Sequence, residues 1–341
     1  MKYIKRKNNA EYEDVSLDAE LSDGELDVES DLALEFGSAA PVQRKKSSLA
    51  SMLSVRGIIV CACAVVFVVC MVILVGRLID YKRTDEIYKT LAEDMFREVT
   101  DEKSILSLSA GYSPSPSLND YNTALTLGKS EGEMSENTAV VDIHYARIRA
   151  KLEQIRAQNP DVIGWIRIEG TEVNYPVVVG DDNDYYLTHA YNGEYLRSGT
   201  IFADYQNSPT SVYDNRNTVL YGHNMANGSM FATVRKYFRD PDMLNTTEIR
   251  FYGFDGVYVY EPIILLDTDS SFYYYQIHFF GRGEYEHFLS NMLYYATYKK
   301  DVTLSGDDKL LTLSTCTNRT VTGRYVLQAR LVRVENSQNG R

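Results

Sequence analysis

Along the chain, hydrophobic and polar positions fall into distinct regimes. Glu11 to Glu35 is dominated by Asp and Glu with scattered Leu and Val, too little apolar area to offset ordering, so disorder is expected there. Gly57 to Gly76, GIIVCACAVVFVVCMVILVG, carries no charge. A helix of that length rises about 30 Å, the thickness of a bilayer's hydrocarbon core, and a soluble helix is rarely apolar on every face, so a membrane span is expected over 57–78. It lies too far from the N-terminus, and is too long, for a cleavable signal peptide. Asp80 to Val99 can continue out of the span as a short helix. Ser104 to Asn137, rich in Ser, Gly and Pro, reads as a flexible stalk.

The pattern changes near Ala139. Ile143, Ile148, Leu152 and Ile155 lie on one helical stripe, which must end before Pro160 because the residue preceding a proline disfavours the α region. Short β-branched and aromatic runs follow: Trp165 to Ile168, Tyr175 to Val179, Thr218 to Gly222, Glu248 to Gly253, Val257 to Leu266, Leu310 to Thr315 and Arg324 to Val334. Gly, Asn and Asp turns at short spacing separate them, which predicts a mostly β domain, an antiparallel barrel or sandwich. Two helices interrupt it: Met230 to Phe238, capped by Ser229, and Glu284 to Tyr298. The expected organisation is an acidic tail (1–56), a membrane helix (57–78), a helical and flexible stalk (79–138), a β domain (139–335) and a disordered end (336–341).

Charge narrows the partners. A formal net charge of −12 argues against nucleic acid, whose phosphates need a clustered basic face. Arg44, Lys45, Lys46 and Arg56 precede the apolar run, and Arg77, Lys82, Arg83 and Lys89 follow it, so the charge rule leaves orientation undecided. Internal repeats, metal-ligand spacings and phosphate-binding glycine loops are absent from the sequence, and neither metal nor cofactor is expected.

Candidate chemistry sits in three segments. In LLTLSTC, Leu311, Leu313 and Thr315 point to one face of a strand, and Leu310, Thr312, Ser314 and Cys316 to the other. Cys316 is the sole cysteine outside the apolar run. It stands where the strand turns polar, although a small buried hydrophobe is the commoner fate of a free cysteine. If the segments before Cys316 and after Gly323 pair, Arg324 opens the return strand beside the cysteine. Arg330 lies roughly 20 Å further on, and Arg319 competes from inside the loop. Of five histidines, His223 alone follows a strand directly, in TVLYGHNM, where a rigid scaffold displays side chains at a turn.

Taken together, TLSTC with a downstream arginine, TVLYGHNM, NPDVIGWIRIEGTEVNYPVVVGDDNDYYL and SGTIFADYQN resemble a class B sortase over about Ile143 to Val334. The Glu284–Tyr298 helix between late strands matches the additional helix of that class. The resemblance implies a closed sortase-type β-barrel with N-terminal helices behind a signal anchor, a cytoplasmic N-terminus and an extracellular catalytic domain. It implies Cys316 as nucleophile, His223 as proton-transfer partner and Arg324 as oxyanion stabiliser. Asn183, Leu187, Tyr221, Tyr274 and Ser314 are the implied substrate contacts. The implied reaction cleaves a sorting motif of surface proteins after Thr through a thioacyl-enzyme and passes the acyl group to a peptidoglycan amine. Pilin polymerisation and a membrane-tethered cysteine peptidase are the alternatives within catalysis, and a surface adhesin or sensor is the alternative outside it.

Overall fold

The computed structural model describes residues 55–97 and 136–336. Residues 1–54 of the expected acidic tail, residues 98–135 of the expected stalk and the last five residues lie outside them. Residues 55–76 belong to one compact unit, and those from Arg77 onward to a second. Helix α1 (Val55–Phe96) carries the apolar run and is the one described helix long and apolar enough to cross a membrane.

The second unit is built on nine strands: β1 (Val162–Ile168), β2 (Asn174–Val179), β3 (Ile201–Ala203), β4 (Asn217–Tyr221), β5 (Ile249–Tyr252), β6 (Val257–Asp269), β7 (Tyr298–Lys299), β8 (Leu310–Cys316) and β9 (Gly323–Glu335). Eight pair in the order β5-β1-β2-β3-β4-β8-β9-β6, and β5 pairs again with β6, so the sheet closes into a barrel rather than splitting into a sandwich; β7 flanks β6. Pairing is antiparallel except for β2 with β3 and β4 with β8. The crossover between β4 and β8 holds three helices, α3 (Ala232–Arg239), α4 (Met243–Thr246) and α5 (Gly281–Tyr295); α2 (Glu136–Gln158) precedes β1.

Two apolar layers explain the composition of β8. Leu311 and Leu313 enter the main core with Val177, Leu220 and Leu327. Leu310 enters a second core outside the barrel, where Tyr285, Phe288, Leu289 and Met292 of α5 cover Ile264, Leu266 and Val326. A strand apolar on both faces belongs inside a sheet, and β8 lies between β4 and β9. Ile148, Leu152 and Ile155 of α2 are buried as their spacing predicts, and the helix ends before Pro160; the Ile143 side chain lies outside those described.

Several expectations change. Ser229 does not cap α3: its hydroxyl donates to Asn227 Oδ1 at 2.7 Å, and the helix begins at Ala232. The late helix ends at Tyr295, because Tyr298 is drawn into β7 by pairing with Leu265. The helix expected from Asp80 is present as the end of α1. Tyr88, Ala92 and Met95 of α1 are buried in the main core.

Candidate active site

β4 and β8 run parallel and in register, with Tyr221 opposite Ser314, so both strands deliver their C-terminal residues to one end of the barrel. Beyond Tyr221, the Gly222 amide donates to the Ser314 carbonyl at 3.3 Å, and Thr315 Oγ1 donates to the Gly222 carbonyl at 2.7 Å. Glycine is required here by packing, since a Cβ would stand 2.5 Å from Ile201 Cδ1 and 2.9 Å from the Phe231 ring. His223 follows. Its carbonyl accepts from the Phe231 amide at 3.0 Å, and Asn224 bridges Met230 across a tight loop.

The His223 imidazole is half-buried, with Nε2 2.8 Å from the Leu187 carbonyl oxygen. A carbonyl only accepts, so Nε2 carries hydrogen and Nδ1 is the other ring nitrogen, without a hydrogen-bond partner among the described residues. Asn224 joins this loop to the cysteine: its Nδ2 donates to the Cys316 carbonyl at 2.9 Å, while Asn318 Nδ2 donates back to the Asn224 carbonyl at 3.2 Å. Cys316 is half-buried and free, on the face of β8 that Leu310 and Ser314 share.

Across the next ladder Cys316 faces Arg324 directly, which places the two Cβ atoms about 5 Å apart. The intervening turn is tight at Gly323, where a Cβ would meet Thr317 Oγ1 at 2.3 Å. The three arginines considered from sequence separate by their partners. Arg319 grips both oxygens of Asp267 at 2.5 and 2.6 Å, and Arg330 pairs with Glu261. Arg324 donates only to the carbonyls of Val321 (3.1 Å) and Gly323 (3.0 Å) and to no carboxylate among the described residues.

Four of the five expected substrate contacts form two adjoining groups. Tyr274 and Ser314 are buried against each other, hydroxyl to hydroxyl at 2.8 Å. Burial pushes the Tyr274 phenol upward, opposed by the Ser314 hydrogen bond and then by the Arg324 charge. Asn183 and Tyr221 meet through a residue not singled out from sequence: Asp204 Oδ2 accepts from Asn183 Nδ2 at 3.0 Å and from the Tyr221 hydroxyl at 2.9 Å. Burial, then the Asp204 charge, raises the Tyr221 phenol as well. Both tyrosines therefore stay protonated around neutral pH. Leu187 contributes its carbonyl to His223, and its half-buried side chain packs against the main core. Asn224 was also missed, and its place directly after His223 was the available signal. Among the described residues no group of three or more His, Cys, Asp or Glu could hold a metal ion.

Comparison with known proteins adds an independent line. A model of the sortase domain matches residues 166–332. Sortase B of Listeria monocytogenes is 36% identical over 218 residues, covering 63% of this chain and 86% of the relative. The solved Staphylococcus aureus sortase B–substrate complex superposes with a TM-score of 0.50 at 30% identity, covering 54% of this chain and 86% of that one. A mutant form of Clostridium perfringens sortase B gives 0.52 at 27% identity, over 60% and 100% of the two chains.

Proposed function

The chain belongs to the sortase family as a class B sortase, a cysteine transpeptidase, and from that membership we propose that it joins sorting-signal surface proteins to a peptidoglycan amine at the outer face of the cell membrane. The apolar part of α1, residues 57–78, serves as a single-pass anchor, with residues 1–56 in the cytoplasm, 79–138 as the connecting segment and 139–335 as the extracellular catalytic domain. With its proton transferred to His223 Nδ1, Cys316 Sγ attacks as a thiolate at the carbonyl carbon of the motif's threonine. The C–S bond forms as the carbonyl π pair moves onto oxygen, opposite Arg324. His223, protonated at Nδ1, gives its proton to the departing amide nitrogen as the C–N bond breaks, leaving a thioester. The wall amine then attacks, Nδ1 takes its proton, and the C–S bond breaks as the new amide forms.

Arg324 cannot serve as the base, because a guanidinium remains protonated. Its donors suit the developing oxyanion, a contribution of about 3–4 kcal/mol in comparable sites. Asn183, Leu187, Tyr221, Tyr274 and Ser314 line the path of the bound motif. The observation that carries this reading is the placement of Cys316 between Arg324 across one ladder and the His223–Asn224 loop across a single hydrogen bond.

Intact-mass spectrometry with a sorting peptide tests it. The wild-type chain should gain the mass of the acyl fragment, and Cys316→Ala should gain none. An added wall-peptide amine should divert the acyl group into a new amide. Adduct on Cys316→Ala would overturn the assignment, and hydrolysis that the amine does not divert would favour a peptidase.

A further inference from the structure

The His223 imidazole is held by a carbonyl rather than a side chain, so its position depends on what fixes the backbone around Leu187. That carbonyl ends a short 3-10 turn, Tyr185–Leu187, knitted to the segment 196–200: the Leu196 amide donates to Thr188 O at 2.9 Å and the Thr200 amide to Tyr186 O at 3.2 Å. Gly199, at φ 57°, presses so closely that a Cβ there would lie 2.3 Å from Tyr186 O and 2.7 Å from Leu187 O. The turn is therefore only as fixed as Ser198 and Gly199.

Helix α1 fixes both. Tyr88 donates its hydroxyl to the Gly199 carbonyl at 2.8 Å and is 2% exposed. Thr84 gives its proton to Asp80 O, so Ser198 donates to Thr84 Oγ1 across 2.7 Å. A second route leaves the same tyrosine. The Tyr88 ring packs edge-on against Tyr175 (5.3 Å, 84°), whose hydroxyl accepts from the Met230 amide at 3.0 Å. Met230 is the left-handed residue (φ 54°) that closes the loop after His223 by bridging Asn224. Tyr88 thus supports the acceptor of the imidazole and the loop that carries it.

We propose that Tyr88 is a positioning residue for His223, so that transpeptidation requires the α1 segment Asp80–Phe96 docked on the barrel. The proposal rests on His223 as the proton-transfer group. A small displacement of a proton donor affects the reacting geometry more than substrate capture, so the loss falls on kcat.

The test uses the full chain in detergent, with ring-15N-labelled histidine and the His223 signals identified by their loss in His223→Gln. Tyr88→Phe, which keeps the ring and deletes the hydroxyl, should lower kcat by about tenfold with KM within about twofold, and should shift or broaden the His223 Nε2–H resonance. Tyr145→Phe is the matched control: Tyr145 also donates a buried hydroxyl to a glycine carbonyl, that of Gly253 at 2.9 Å in the β5–β6 turn. It should leave kcat and the resonance unchanged. The proposal is overturned if Tyr88→Phe keeps both wild-type kcat and the wild-type resonance, or if Tyr145→Phe loses kcat equally. Were the wild-type chain to lack Cys316-dependent transfer, the functional reading would fail, and the resonance alone would decide whether Tyr88 positions the imidazole.

Discussion

The two ends of β9 are held together by opposite means. At its start, beside Cys316, the buried contacts are neutral, short and mostly to backbone (Thr315 to Gly222 O, Asn224 to Cys316 O, Tyr274 to Ser314), with the exposed Arg319–Asp267 pair at their margin. At its finish the contacts are ionic and partly exposed: Arg333 with Glu248 (2.9 Å) and Glu335 (2.8 Å), and Arg250 with Glu335 (2.8 Å). Each polar group at the first end has few alternatives, and a lost partner leaves a buried atom unpaired. At the second end every charge has water and a further partner in reach. The end that carries Cys316 thus relies mostly on single-solution contacts, and the far end of β9 mostly on replaceable ones.

The sharpest way to break that contrast is Thr315→Val, which removes the buried hydroxyl from the Gly222 carbonyl. Its expected cost is about 1–3 kcal/mol in urea unfolding, with slower acyl-enzyme formation because His223 is the next residue. An unchanged unfolding midpoint and rate would erase the distinction between the two ends.

Acid addresses the other end and has a smaller effect. The hydrogen bond from Arg333, with the nearby arginine charges, holds the Glu248 carboxyl below the usual range. Burial alone would raise Glu335, but Arg333 and Arg250 outweigh it and lower its carboxyl as well. Carboxyls with depressed folded values contribute fully above the ordinary glutamate value, about 4.3, and lose that contribution as pH falls through their lower folded values. Thermal midpoints should therefore fall on acidification below about pH 4, and less steeply in Arg333→Ala than in wild type. Equal slopes would remove these pairs from the account.

Smallest is Arg333→Ala at neutral pH. Exposed pairs are worth about 0–1 kcal/mol, so the unfolding free energy should drop by less than about 1 kcal/mol while the transpeptidation rate stays unchanged. A loss as large as that of Thr315→Val would make the ends equivalent.

Which features were legible in the sequence follows from the range of the interactions. The alternation of LLTLSTC identified the two faces of β8, and a tight connection after Cys316 was enough to set Arg324 opposite it. Closure was legible only through the family resemblance: strand patterns alone left barrel and sandwich open, and the deciding β5–β6 pairing has no local signature. Three-residue β3 is too short to announce a period. Asp204 stands in a loop like any other acidic residue until folding brings Asn183 and Tyr221 to it. Tyr88 is read locally as a residue in a helix leaving a membrane; its role comes from a carbonyl 111 positions away.

Barrel closure also bears on association between chains. An open row of backbone donors and acceptors could template pairing with passing chains. Among the described residues each long strand has a neighbour on both sides over at least part of its length, and the edge strand of the sheet is the two-residue Tyr298–Lys299. So short a rim, ending in a lysine, offers little purchase for unwanted strand addition and discourages clumping among neighbouring copies.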